Sequence, residues 1–232
     1  MGASAYTKFK TVMDEFERGV VLEIGGSKIG ENDNSTQWFL DLLGRADSTH
    51  PGRFQFFCID KDVETVNSIN TYITRMGYSN SIAFPANFSN LLDLLTSLHG
   101  NGMPIIFLYM DGFDYPPPGC EDHDWFIQQK EKYKANGTEL TLENSADFHL
   151  ISTTFQELVH VDGYIMFDDT FRIEETETHK SGLERGRANG RNYPETGWYG
   201  KGMKAVPVLE DMGWKLLPKE GIKRDDWIWM KR

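Results

Sequence analysis

The chain has 232 residues, 39% hydrophobic and 25% charged, with 35 acidic against 24 basic residues for a net charge of −11. That apolar content supports a sizeable buried core and excludes a disordered chain, and the acidity disfavours a nucleic-acid partner, whose phosphates need basic patches. The longest uncharged apolar run, Met103 to Met110, is far too short to span a membrane, so no membrane partner is expected.

Charges from Lys8 to Arg18 interrupt any signal-peptide core, and the two cysteines, Cys58 and Cys120, make no disulfide framework. A cytoplasmic location is the expectation.

In chain order, Phe9, Val12, Met13 and Phe16 predict a helix over 5–17, within an N-terminal helical segment 1–18. The run from Val20 to Ile24 predicts a first strand ending at Gly25-Gly26. A helix over 36–43 follows a Ser/Thr cap. Phe54 to Ile59 predicts a second strand ending at Asp60, and 62–76 a helix with an acidic first turn. Ser81 to Phe84 is a weaker third strand, and a leucine-rich helix is expected over 88–98. Pro104 to Met110 predicts a fourth strand ending at Asp111. Helices over 124–134 and 146–159 lead to a fifth strand, Tyr164 to Phe167, ending at Asp168-Asp169. After a helix over 203–212, Trp214 to Leu217 and Trp227 to Met230 read as an antiparallel pair at one sheet edge.

Short apolar strands alternating with helices predict a doubly wound α/β fold with a mostly parallel sheet. One domain, 1–232, is expected, with 112–145 as an insertion after the fourth strand and the polar segment 172–200 as a lid.

In such sheets ligands bind beyond the carboxyl ends of the strands. Here those ends carry Glu23, Asp60, Asp111, Asp168 and Asp169. The first turn is glycine-rich but is neither a G-x-G-x-x-G fingerprint nor a phosphate loop. Asp60 stands where an acid can accept hydrogen bonds from ribose hydroxyls, which makes this half a nucleoside site.

The Glu23-Ile24-Gly25 turn, the strand end Cys58-Ile59-Asp60-Lys61-Asp62 and the segment Ala86-Asn87-Phe88 resemble the class I S-adenosylmethionine-dependent methyltransferases. The resemblance implies a Rossmann-like seven-stranded sheet with helices on both faces and a C-terminal antiparallel strand pair. It also implies S-adenosylmethionine as cofactor. Glu23, Gly25, Gly26 and Ser27 then correspond to the turn at the methionine part, Asp60 with Lys61 to the ribose site, and Asn87 with Phe88 to the adenine flank. The chain departs from the family turn at Ser27 and Ile29, where glycines are usual.

Asp111-Gly112-Phe113-Asp114 and Phe167-Asp168-Asp169 resemble the metal-dependent O-methyltransferases that modify sugars and macrolides. That resemblance implies Mg²⁺ held by Asp111, Asp168 and Asp169, with Asp111 also near the cofactor. Crowded carboxylates and hard oxygen donors suit such an ion. Asp111, Asp114 and His149 are the expected catalytic residues, Asp114 or His149 taking the proton of the acceptor hydroxyl. Tyr115, Trp198 and Tyr199 are expected to stack on substrate, and Lys201 to be available to an anionic one.

The resulting expectation is methyl transfer to a hydroxyl of a small molecule; a homo-oligomer is compatible with the sequence, which does not fix the oligomeric state. The alternatives are another nucleoside-binding enzyme, a hydrolase or lyase, on the same sheet, and a non-catalytic S-adenosylmethionine-binding module.

Overall fold

The computed structural model describes residues 3–30, 34–49, 52–86, 90–91, 93, 96–97, 102–135, 137–218 and 227–232. Strands β1 (Gly19–Ile24), β2 (Phe54–Asp60), β3 (Ser81–Pro85), β4 (Ile105–Met110), β5 (Val159–Phe167), β8 (Lys215–Leu216) and β9 (Ile228–Lys231) form one seven-stranded sheet in the order β3-β2-β1-β4-β5-β9-β8. The sheet is mostly parallel, with helices between its strands and an antiparallel C-terminal pair, as expected. A separate antiparallel hairpin joins β6 (Thr170–Arg172) to β7 (Trp198–Gly200).

The chain divides into two compact units. The first holds Met1–Met110, Phe155–Met166 and Met230–Arg232; the second holds Asp111–Thr154 and Phe167–Trp229.

In the first unit, β1 pairs in parallel with β2 on one side and β4 on the other. All six residues of β1 and of β4 are buried, as a strand covered on both faces requires. Helix α1 (Ala3–Glu15) and helix α2 (Ser35–Thr49) meet in an aromatic cluster. Phe9 lies edge-on to Phe39 at 5.1 Å and to Phe107 of β4 at 4.9 Å, and Phe39 stands 5.4 Å from Tyr109. Helix α3 (Val63–Met76) is capped by Asp62, whose side chain accepts from the amides of Glu64 and Thr65, and ends at Gly77 in the left-handed conformation.

Helix α2 differs from its expected form. Its cap is Asn34, which accepts from the amide of Gln37 at 2.6 Å, and this frees Ser35 for a different partner. The leucine-rich stretch 88–98 lies largely outside the described residues, as do Asn87 and Phe88.

The second unit contains helix α4 (Asp124–Ala135), helix α5 (Leu142–His149), helix α7 (Lys180–Ala188) and helix α8 (Ala205–Asp211), and helix α6 (Ser152–Phe155) carries the chain from it back to the first. The single helix expected over 146–159 is replaced by α5 and α6. Capped by Thr141, α5 starts four residues upstream of the expected start, and the Ser152 hydroxyl bonds the carbonyl of His149 where α5 ends. Segment 172–200 is ordered: it carries α7 and β7, and Ile173, Leu183 and Tyr199 pack with Tyr115 and Phe171 in a small core.

Phe39 is 1% exposed and touches aromatic rings of α1, α2, β2 and β4. Phe39→Ala is expected to destabilise the protein by about 3–5 kcal/mol, read as a lowered denaturant midpoint with an unchanged slope.

Candidate functional site

At the carboxyl end of β1, Glu23 is fully buried. Its Oε1 accepts a hydrogen bond from the Ser35 hydroxyl at 2.6 Å. The second oxygen, Oε2, is buried without a partner in hydrogen-bonding geometry, although Thr36 and Cys58 lie close enough to favour its charge. Burial pushes the carboxyl up to about 7, against the pull of Ser35.

The turn that follows is tight. Gly25 has φ +94°, and its amide bonds the carbonyl of Ile59 at 2.8 Å. A Cβ on Gly26 would stand 2.5 Å from the Cys58 sulfur. The amide of Ser27 donates to Thr36 Oγ1 at 2.8 Å.

Asp60 ends β2 beside this turn, since Ile24 pairs with Ile59 in the β1–β2 register. Burial raises its carboxyl, while the Asp62 amide, 2.7 Å from Oδ1, draws it back. Lys61 is exposed next to it. The strand order reverses direction at β1, so the turn lies at the topological switch point, where open α/β sheets bind ligands. A buried acid with an unbonded oxygen, a left-handed glycine and a strand-end acid fit a nucleoside-bearing cofactor with a cationic end.

The second unit holds the other acids. Carboxylate oxygens of Asp111, Asp168 and Asp169 lie within 4.8 Å of one another. Sequence reasoning missed what stands among them. Lys201, 1% exposed, places its ammonium 2.6 Å from Asp111 Oδ1, 3.2 Å from Asp169 Oδ2 and 3.8 Å from Asp114 Oδ1. Burial works against that charge, but the Asp111, Asp169 and Asp114 carboxylates outweigh it and hold Lys201 well above the usual lysine range. Asp111 is in turn pushed up to about 6 by burial, against Lys201 and with repulsion from Asp169. Lys201 is therefore an ion-pair partner and not a residue open to an anionic substrate.

The β6–β7 hairpin delivers this lysine. Thr170 pairs with Gly200 across it, and the Lys201 amide donates to the Asp169 carbonyl at 3.2 Å. Thr170 Oγ1 accepts from the Gly202 amide and donates to the Asp168 carbonyl. Gly200 has φ +99°, and a Cβ there would sit 1.8 Å from the Asp169 carbonyl oxygen. Asp169 itself has φ +46° and Phe113 φ +60°, so backbone strain gathers in the two turns that carry the acids.

With Lys201 in place the acids do not fit Mg²⁺. An ion bound to Asp111 Oδ1 at about 2.1 Å would lie within about 5 Å of the ammonium, where the two repel by about 7 kcal/mol at an effective dielectric of about 20.

The remaining expected residues are placed as follows. His149 is fully buried; its Nδ1 donates to the Ser145 carbonyl at 2.7 Å, and Nε2 has no partner among the described residues. Burial, then the Lys201 charge, lowers it to about 3, so its neutral imidazole is a poor acceptor for a hydroxyl proton. Asp114 is 54% exposed at its side chain and remains accessible.

Tyr115 and Tyr199 are core residues, the Tyr115 hydroxyl donating to the Asp169 carbonyl at 3.0 Å. Trp198 instead lines a cavity of about 440 Å³ with Arg172, Leu217, Trp227 and Trp229. The Arg172 guanidinium lies over its ring at 4.7 Å.

No family model and no curated protein matches the chain. Solved structures similar to it include a SAM dependent methyltransferase from Aquifex aeolicus, at 12% identity over 96% of this chain and 88% of that one, with a TM-score of 0.42. An rRNA methylase from Streptococcus thermophilus is 8% identical over 100% and 98%, with a TM-score of 0.47. An O-methyltransferase from Bacillus cereus in complex with SAH is 12% identical over 97% and 81%, with a TM-score of 0.46. Each is a likeness of outline.

Glu23 carries a pH signature. Its folded value near 7 lies above the ordinary 4.5, so between these values the folded state keeps a proton that the unfolded state has lost. Stability is expected to fall by about 2–3 kcal/mol as pH rises from about 4.5 to 7. Glu23→Gln should flatten that slope in urea melts taken across the range. Gly200→Ala should destabilise by more than about 1 kcal/mol in the same assay, because it adds a clash to a left-handed backbone.

Proposed function

We propose that this chain is an S-adenosylmethionine-dependent methyltransferase that acts on a hydroxyl of a small molecule. The observation that carries the reading is the switch-point turn of β1, where buried Glu23, left-handed Gly25 and strand-end Asp60 come together in one unit.

When bound, the cofactor supplies an electrophilic methyl on a sulfonium, a good leaving group. The residues of the turn bind and orient it. Backbone at Gly25, Gly26 and Ser27, together with the Glu23 carboxyl, would hold the methionine part. Asp60, flanked by Lys61, would accept hydrogen bonds from the ribose hydroxyls. Asn87 and Phe88 are assigned to the adenine.

The acceptor reading rests on the second unit. The aromatic cavity at Trp198 has the size of a small-molecule site. Its Arg172–Trp198 end of the hairpin lies two register steps, about 7 Å, from the Thr170–Gly200 end beside the acids. Asp114, the most exposed carboxylate around Lys201, is assigned as the proton acceptor, in preference to buried His149. In such a reaction the sulfonium S–CH3 bond would break, leaving a thioether, as the acceptor oxygen takes the methyl, and Asp114 would take the proton that oxygen loses. The net charge of −11 favours a small neutral or cationic acceptor over RNA.

Calorimetry with S-adenosylmethionine is expected to show binding by the native chain and none by Asp60→Ala. Unchanged affinity in that variant overturns the assignment. With methyl-labelled cofactor, Asp114→Asn is expected to lower turnover by about 10²–10⁴-fold while leaving cofactor affinity intact.

A further inference from the structure

We infer that the Asp111–Asp168–Asp169 cluster is closed by its own cation, the ammonium of Lys201 standing where a divalent ion would have to bind. Three observations converge on one atom. Lys201 Nζ is the common neighbour of Asp111 Oδ1, Asp169 Oδ2 and Asp114 Oδ1, all within 3.8 Å. Two of the three oxygens nearest it belong to acids that would have to hold the ion.

The lysine is enclosed where it stands. Its side chain is 1% exposed, and its backbone is tied on both sides: its own amide to the Asp169 carbonyl, and the Gly202 amide to Thr170 Oγ1. Gly200 admits no side chain at this approach, so the hairpin that carries Lys201 is built against the same turn that carries Asp168 and Asp169. A lysine this buried is retained only where carboxylates compensate it. The solvent-facing side chains of Asp114 and Asp169, 54% and 35% exposed, leave the surplus negative charge to water. Asp111, the least exposed of the three at 16%, is matched one to one by the ammonium.

The inference does not depend on methyl transfer, because its readout is cation binding. Metal-stripped native protein is titrated against Mn²⁺, with the free-ion electron paramagnetic resonance signal and the melting temperature followed together. The free-ion signal is expected to stay undiminished and the melting temperature unmoved. Lys201→Ala, which leaves the acids without a counter-charge, is expected to take up one Mn²⁺ per chain, at least about tenfold more tightly than the native protein, and to melt higher in its presence.

Stoichiometric Mn²⁺ uptake by the native chain that is lost in Asp111→Asn overturns the inference. So does a folded Lys201→Ala that ignores the ion. If Lys201→Ala folds only when Mn²⁺ is supplied, that dependence supports the inference. If it does not fold at all, the native titration decides alone.

Discussion

Burial of β1 and β4 along their whole length is the constraint from which the rest follows. A parallel strand covered on both faces has no room for polar side chains along its run, so chemistry is displaced to the strand ends. Val20 to Leu22 and Ile105 to Met110 are apolar without interruption. Glu23 is the exception inside β1, and it exists there only because Ser35 reaches its carboxyl and burial keeps a proton within reach near neutral pH. Everything else with a charge to use comes after a strand has ended: Asp60 at the last position of β2, Asp111 directly after β4, Asp168 directly after β5.

The two units treat buried charge differently. In the first, Glu23 is raised towards neutrality, so the fold avoids a bare carboxylate by letting it hold a proton. In the second, Asp111 and Lys201 are both kept inside and compensate each other, with Asp114 and Asp169 grading the field out to solvent. The first arrangement leaves a group that can respond to a cationic ligand. The second leaves a rigid, charge-balanced platform whose geometry depends on a short hairpin and a glycine.

Much of this was legible in the residues. The alternation of Val/Ile/Phe runs with helical stretches predicts the strands through β5 and a mostly parallel sheet, and the two Trp-bearing segments at the end predict the edge pair; the strand order comes from the structure. The strand-end acids and the glycine turn follow from the same reading, since a strand that ends in Gly or Asp has a physical reason to do so. The role of Lys201 is hidden from the sequence, because a lysine between two glycines looks like an exposed loop residue. Its only local signal is Gly200 itself, whose left-handed backbone serves a close approach to Asp169. Tyr115 and Tyr199 escape a sequence reading for a related cause: each lies in a stretch that reads as loop, which hides the five-residue core that Phe171, Ile173 and Leu183 complete with them.

The sequence by itself determined the layered α/β architecture, the polarity of the strand ends and the chemical character of both groups of acids, because burial patterns and turn residues are local properties. Tertiary structure alone decided which cation those acids meet. Lys201 is 90 residues from Asp111 and 32 from Asp169 along the chain, and only the β6–β7 register sets its ammonium between them. A charge becomes a counter-ion through distance and burial, and neither is a property of any one stretch of chain.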